Sequence, residues 1–253
     1  MLQVKRQDQI TFLYSEAIDR ITGLVHAFST RRGERNDFSL GPANSPNPMV
    51  QMNRARFIAA IAAAGWPIIK LKQVHSNIVV DVNDTSAAGD AVEGDAAITN
   101  LQGVILGVQT ADCVPILIAD REGRSVAAVH AGWRGTAAGI TETTVERLVE
   151  RFEIDPKNLI AVIGPHIGVC CYEVGEDVAA QIDDTAIVRM PEFSKPHIDL
   201  AAANRGQLVR SGIPESQIEI SSLCTKCRDD LFHSYRRDGK AMGHLLSAIG
   251  IAP

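Results

Sequence analysis

The chain has 253 residues, 45% hydrophobic, 22% charged and 5% aromatic, with five cysteines and seven histidines. This composition excludes a disordered segment, a collagen-like repeat and a disulfide-stapled miniprotein. Thirty acidic against twenty-five basic residues give a formal net charge of −5, no general footprint for nucleic acid or an anionic membrane surface. The odd cysteine count leaves at least one thiol unpaired, as expected of a reducing compartment. Apolar runs such as residues 114–119 and 125–129 fall far short of the roughly 20 residues that span a bilayer. The first eight residues lack the apolar core of a secretory signal, and the expected location is the cytoplasm.

In chain order, residues 39–48 are the richest in Gly, Pro and Asn and predict a loop leading into a helix. Asn47 caps that helix, Pro48 fits its first turn, and Gly65 with Pro67 ends it. From 68 to 131 the period becomes that of strands, with β-rich runs at 68–82, 96–99, 103–109, 114–119 and 125–131. The short turn 120–124 makes an antiparallel hairpin of the last two. An amphipathic helix over 136–152 places Ile140, Thr144, Leu148 and Phe152 on one side. A strand at 159–164, a helix after Gly175, a helix from an Asp199 cap to Gly212 and a strand at 218–223 follow. With no repeat and no linker, residues 1–253 are expected to form one α+β domain of layered sheets flanked by helices.

The hairpin brings two soft-metal ligands to its open mouth. A four-residue loop at 120–123 sets Cys113 opposite His130, whereas a three-residue loop at 121–123 pairs Val114 with His130 and turns the two side chains to opposite faces. Pro115 interrupts regular pairing, so both registers stay open. A thiolate and a neutral imidazole suit zinc, and His75, at the end of a preceding β-rich run, is the best third ligand. Three protein donors leave a fourth position for water or substrate. The competing reading is a buried cysteine with hydrogen-bonded histidines, since the spacing 75, 113, 130 matches no compact metal motif.

The segment Ala131-Gly132-Trp133-Arg134-Gly135-Thr136 joins a strand to a helix through two glycines, which suits backbone N–H groups aimed at an anion, with Arg134 adding a fork of donors. A plain glycine turn with a solvent-facing arginine is the alternative. The loop 164–175 carries three glycines, His166 and the adjacent Cys170 and Cys171, read as packed thiols. His166 reads as an acid–base group or as a structural hydrogen-bond partner. Cys224-Thr225-Lys226-Cys227 is a CxxC with no second CxxC or HxxxH nearby, so its expected role is structural. Arg236, Arg237 and Lys240 form a basic cluster, either an anion site or a solvated tail.

Taken together, Lys72-Gln73-Val74-His75, Thr110-Ala111-Asp112-Cys113-Val114-Pro115-Ile116, His130-Ala131-Gly132-Trp133-Arg134-Gly135, Ile163-Gly164-Pro165-His166-Ile167-Gly168, Cys171-Tyr172-Glu173-Val174-Gly175 and Ser234-Tyr235-Arg236-Arg237 resemble the YfiH family. That family was long labelled a laccase-domain or multicopper polyphenol oxidase and is now associated with phosphorolysis and deamination of purine nucleosides. The resemblance runs from about Leu24 to the C-terminus and implies an α/β/β/α layering, with zinc on His75, Cys113 and His130. It also sets Asn53-Arg54 and Phe28-Ser29-Thr30-Arg31 near the pocket, with Arg54 a candidate for substrate or phosphate. His233 and Gly243-His244 depart from the family pattern and bear on contacts made by the C-terminal segment.

The expected function is therefore zinc-dependent phosphorolysis of adenosine, inosine, guanosine or methylthioadenosine to base and ribose 1-phosphate, with adenosine deamination as a companion activity. Catalytic candidates are His75, Cys113, His130 and Asp112, and phosphate or substrate candidates are Arg134, His166 and Arg54. Asp112 is open between orienting a ligand, carrying a proton and shaping a turn. The expected partners are a purine nucleoside and phosphate, with no nucleic acid, membrane or obligate protein partner. One alternative is a cysteine hydrolase with Cys113 as nucleophile, His130 as base and Asp112 as orienter. Another is a copper-dependent polyphenol oxidase, which seven singly scattered histidines do not favour. A non-catalytic scaffold predicts no turnover of any nucleoside.

Overall fold

The computed structural model describes residues 1–34, 37–42, 45–85, 92–191 and 193–253. Its strands, in chain order, are β1 Gln3–Gln7, β2 Ile10–Tyr14, β3 Leu24–Ser29, β4 Ile68–Lys70, β5 Val79–Asp81, β6 Ala96–Thr99, β7 Ile105–Thr110, β8 Val114–Asp120, β9 Val126–Ala131, β10 Leu159–Ile163, β11 Ile187–Val188, β12 His197–Ile198, β13 Ile218–Ile220 and β14 Leu245–Ile251. One six-stranded sheet runs β1-β2-β3-β14-β7-β4 and a second runs β13-β10-β8-β9-β6-β5; β11 and β12 pair separately. Most pairs are antiparallel, with β4·β7, β5·β6 and β10·β13 parallel, so the expected α+β class is observed.

The layering follows from strands that are apolar on both faces. Along β8, Ile116 and Ile118 face the helices Ile140–Phe152 and Leu200–Arg210, while Leu117 and Ala119 face the other sheet. A continuous apolar run is what a strand buried on both sides requires. The inter-sheet layer packs Leu117, Ala128 and Val162 against Phe28, Leu106, Val108 and Ile249. On the far face of the first sheet, Phe57 and Ile58 of the helix Pro48–Ala60 cover Ile105, Leu246 and Ala248. Each fully buried Leu or Ile contributes about 1.5–3 kcal/mol, and these three layers hold the expected α/β/β/α stack.

The helix starts follow local chemistry. The Asn47 side chain accepts the Met49 N–H at 2.9 Å and Pro48 opens the helix, as predicted, although Ala43 and Asn44 of the preceding loop lie outside the described residues. Asp199 caps Leu200–Arg210 by accepting the Ala202 N–H at 2.9 Å. The helix expected over 136–152 is instead two, Trp133–Ala137 and Ile140–Phe152, because Gly139 adopts φ +79° between them.

Three expectations change. The run 68–82 is not one strand: β4 joins the first sheet, β5 joins the second, and the crossing segment between them carries His75. The hairpin register is neither of the two considered, since Pro115 pairs with His130 and Ala119 with Val126. Cys113 lies two residues from Pro115, so it keeps the face on which it pairs with His130 under the four-residue loop. No strand is expected beyond residue 223, yet β14 sits between β3 and β7 at the centre of the first sheet. No helix among the described residues is long and apolar enough to cross a membrane.

Candidate metal centre and cleft

Strand parity places the site. On β9, Val126 and Ala128 point into the inter-sheet layer, so His130 does too; on β8, Leu117 and Ala119 do, which carries Cys113 to the same face. Leu106 and Val108 of β7 set Thr110 likewise. The three strands thus deliver His130, Cys113 and Thr110 to one end of the layer between the sheets. Here the apolar packing stops and a cleft of about 460 Å³ opens. Leu71, Ala111, Tyr235 and Met242 supply its apolar wall, and Gln73, Thr110 and His244 line it with polar groups.

His75 enters from the crossing segment with φ +60°, a left-handed backbone that is unusual for a side chain larger than glycine. Asp95 holds it there. Its carboxylate accepts the N–H groups of Val74 (3.2 Å), His75 (3.0 Å) and Ser76 (2.6 Å), together with the Ser76 hydroxyl (2.7 Å). The same carboxylate accepts His130 Nδ1–H at 2.8 Å, which turns His130 Nε2 toward Cys113. Burial opposes ionisation of Asp95, but the bonds from His130 and Ser76 outweigh it and hold the carboxyl at about 2. Gln73 adds a reciprocal pair, its Nε2 donating to Gln109 O at 2.7 Å and its Oε1 accepting Gln109 N–H at 2.8 Å.

His75, Cys113 and His130 each offer a ligand atom within 4.8 Å of the others, and His75 Nε2 stands 3.9 Å from Cys113 Sγ. A tetrahedral ion with Zn–S and Zn–N bonds of usual length separates such atoms by about 3.6 Å, so the donor set fits a metal with little movement. Burial raises the Cys113 thiol, yet the charge of His130 and bonds to His130 and His75 bring it below the ordinary thiol range, favouring the thiolate a metal needs. The carboxylate behind His130 is the support expected of a metal-ligating imidazole. Gly132 keeps the space clear: a Cβ there would stand 2.7 Å from His75 Cδ2 and 3.1 Å from Cys113 Sγ.

Several sequence candidates sit elsewhere than expected. Asp112 does not touch His130; its Oδ1 accepts the Thr225 hydroxyl at 2.6 Å and its Oδ2 the Arg236 N–H at 2.7 Å. Residues 111–113 form a bend from which Asp112 reaches Thr225 and Arg236, and Asp95 orients His130 instead. Arg54 is buried outside the cleft, its guanidinium donating to the carbonyls of Leu40 and Pro42, so it braces the wall. His166 is also buried, with Nδ1–H donating to Gly164 O at 2.8 Å. Gly132 and Gly135 serve close packing on the His75 turn, for a Cβ on Gly135 would meet Ser76 O at 2.9 Å. Arg134 is exposed and stacks on Trp133 at 4.3 Å.

Sequence reasoning missed Asp95, which precedes β6 and reads there as a turn residue. It also missed Thr110, whose buried hydroxyl has no hydrogen-bond partner among the described residues and lines the cleft. Of the basic cluster, Arg236 donates to Glu173 O and lies over Tyr172 at 5.3 Å, while Arg237 is spent on Asp238 and on the carbonyls of Thr225, Lys226 and Phe232.

A family model described as multi-copper polyphenol oxidoreductase laccase matches residues 25–252. The chain is 41% identical over 250 residues to a Geobacillus stearothermophilus protein named purine nucleoside phosphorylase YlmD, covering 90% of each. It is 38% identical over 195 residues to adenosine deaminase RL5 from an unknown prokaryotic organism, covering 72% of this chain and 74% of that protein. Among solved structures, the Bacillus licheniformis hypothetical protein YfiH superposes with a TM-score of 0.88 at 30% identity over 98% of both chains. The chain belongs to the multi-copper polyphenol oxidoreductase laccase family, with YfiH and YlmD among its neighbours.

Proposed function

We propose that this protein is a zinc-dependent purine nucleoside phosphorylase acting through His75, Cys113 and His130. The observation that carries the reading is a three-donor cluster opening on a mostly apolar cleft, in a chain whose relatives are named for purine nucleosides. A divalent ion on these donors supplies Lewis acidity where the substrate binds. The wall of Leu71, Ala111 and Met242 takes the purine face, and Thr110, Gln73 and His244 supply directional partners for base or ribose.

In phosphorolysis a phosphate oxygen bonds to C1′ as the C1′–N9 bond breaks, and its electron pair leaves with a base that must gain a proton. The positive ribose of that transition state is matched by the incoming anion, so the chain's task is to hold both reactants in line. Tyr172 lies within electrostatic reach of Cys113 and of both Arg134 and Arg236, which makes these two arginines the phosphate candidates. Burial first, then the Cys113 charge, pushes the Tyr172 phenol up to about 12, so it stays a hydrogen-bond donor at neutral pH. Asp112 positions Arg236 by accepting its backbone N–H and the Thr225 hydroxyl.

Zinc is preferred over copper because multi-copper oxidation needs further histidine-rich clusters. Among the described residues the other cluster of metal-ligating side chains is four cysteines. Adenosine deamination is the second reading, favoured by the deaminase-named relative. A cysteine hydrolase finds a better orienter in Asp95 than in Asp112, and zinc content separates it from the metal reading.

The test incubates zinc-replete protein with adenosine, inosine and guanosine, with and without phosphate, and separates products by chromatography. Free base and ribose 1-phosphate are expected only when phosphate is present. Inosine from adenosine without phosphate selects deamination, and no product from any nucleoside overturns both.

A further inference from the structure

The strands β10 and β13 run parallel and side by side, so their following loops emerge together. Ser221 N–H donates to Ile163 O, Thr225 N–H donates to His166 O, and His166 forms a bridge with Cys224 beyond the strand ends. This pairing sets the CxxC of one loop against the adjacent cysteines of the other. Cys170, Cys171, Cys224 and Cys227 all place Sγ within 4.8 Å of one another. The Cys170–Cys171 and Cys170–Cys227 separations are 3.7 Å and Cys171–Cys227 is 3.4 Å. Four thiolates around one zinc, at Zn–S of about 2.3 Å, stand about 3.8 Å apart along each edge of the tetrahedron.

The backbone around Cys224 matches that arrangement. Its sulfur accepts N–H bonds from Gly168, at 3.2 Å, and from Lys226 and Cys227 within its own CxxC. A loop that curls two of its own N–H groups back onto its first sulfur presents that sulfur as an acceptor, as a thiolate ligand requires. Gly168 is confined by the cluster, since a Cβ there would stand 3.3 Å from both Cys170 Sγ and Cys224 Cβ. The Cys171–Cys227 sulfur separation of 3.4 Å is well beyond the roughly 2.05 Å of a disulfide, whereas one ion accounts for all four. Sulfurs all within 4.8 Å leave room for a single ion rather than a multi-iron cluster, and four soft donors select zinc.

We propose that Cys170, Cys171, Cys224 and Cys227 form a second metal site, a closed four-thiolate site for one zinc ion that staples the 164–175 loop to the CxxC loop. With all four positions taken by protein, the site is structural. Its reach extends to the cleft: Thr225, inside the CxxC, donates to Asp112, the residue before Cys113, and Tyr172 follows Cys171 directly. The ion would hold the floor of the cleft without touching substrate.

The test counts zinc by elemental analysis in full-length protein purified under reducing conditions and equilibrated with zinc alone. His75→Ala, which removes a donor of the first cluster, is expected to retain one equivalent. In that background Cys170→Ser with Cys227→Ser, both exposed positions, is expected to lose it. Cobalt in place of zinc should give His75→Ala the intense thiolate-to-cobalt absorption of a four-sulfur site, lost on adding the two serines. Zinc-free His75→Ala protein in which Cys170, Cys171, Cys224 and Cys227 react with a disulfide reagent equally fast before and after zinc addition overturns the proposal. So does an unchanged zinc content in the serine variant.

Discussion

Two sets of soft ligands stand at the same end of the second sheet and are built on opposite principles. The His75–Cys113–His130 set mixes two imidazoles with one thiol, takes its members from the residue before β8, from β9 and from a crossing segment, and faces a cleft. The four-cysteine set takes its members from two loops following parallel strands, with Cys170 and Cys227 exposed. Donor number decides the difference: three protein donors leave a position for chemistry, and four close the shell. The supports differ accordingly. A buried carboxylate, Asp95, tunes and aims the open set, while backbone N–H groups alone cradle the closed one.

The sharpest way to break this contrast is Cys113→Ala. It should abolish phosphorolysis while thermal unfolding and the zinc of the four-cysteine site stay as they were, read by chromatography, scanning calorimetry and elemental analysis. Next in size, Gly132→Ala forces a Cβ to within 2.7 Å of His75 and 3.1 Å of Cys113. Overpacking of this kind costs about 1–3 kcal/mol, and a drop in urea midpoint together with loss of the first zinc is the expected result. Asp95→Asn keeps the shape but removes the charge behind His130, and should weaken zinc at the open set by about 10–100-fold in a chelator competition, leaving the closed set unmoved.

A pH experiment separates both clusters from the scaffold. His26 on β3 is buried, accepts the Ser15 N–H at 2.8 Å, and is depressed from 6.5 to about 4, chiefly by burial. The unfolded chain therefore binds a proton that the folded one refuses between these values. The stability is fully present above 6.5 and is lost as pH falls toward 4, by roughly 3 kcal/mol. Urea midpoints at pH 7.5 and 4.5 should show that loss in wild type and less of it in His26→Gln. The smallest effect belongs to Arg134→Ala, an exposed side chain, which should raise KM for phosphate with kcat and zinc content little changed.

The sequence carried the fold through its apolar runs: β7 to β10 and the helices Ile140–Phe152 and Leu200–Arg210 fall within a few residues of the predicted elements. It hid β1, all exposed, because a strand with no buried face leaves no alternation to read. The crossing segment was hidden too, since a run that changes sheets looks like one strand. At the site, Cys113 and His130 were legible because a two-residue slip in register preserves the face. Asp95 and the Cys170–Cys171 partnership with Cys224–Cys227 were not legible from spacing, because tertiary pairing of distant loops and a carboxylate serving a turn twenty residues away leave no local pattern.

The most direct measurement is the rate of inosine phosphorolysis by zinc-stripped protein as zinc is added back. The account predicts no turnover in the stripped protein, recovery that saturates with zinc, and no recovery in Cys113→Ala. Full turnover by protein shown to be free of zinc, or recovery in Cys113→Ala equal to wild type, would contradict it.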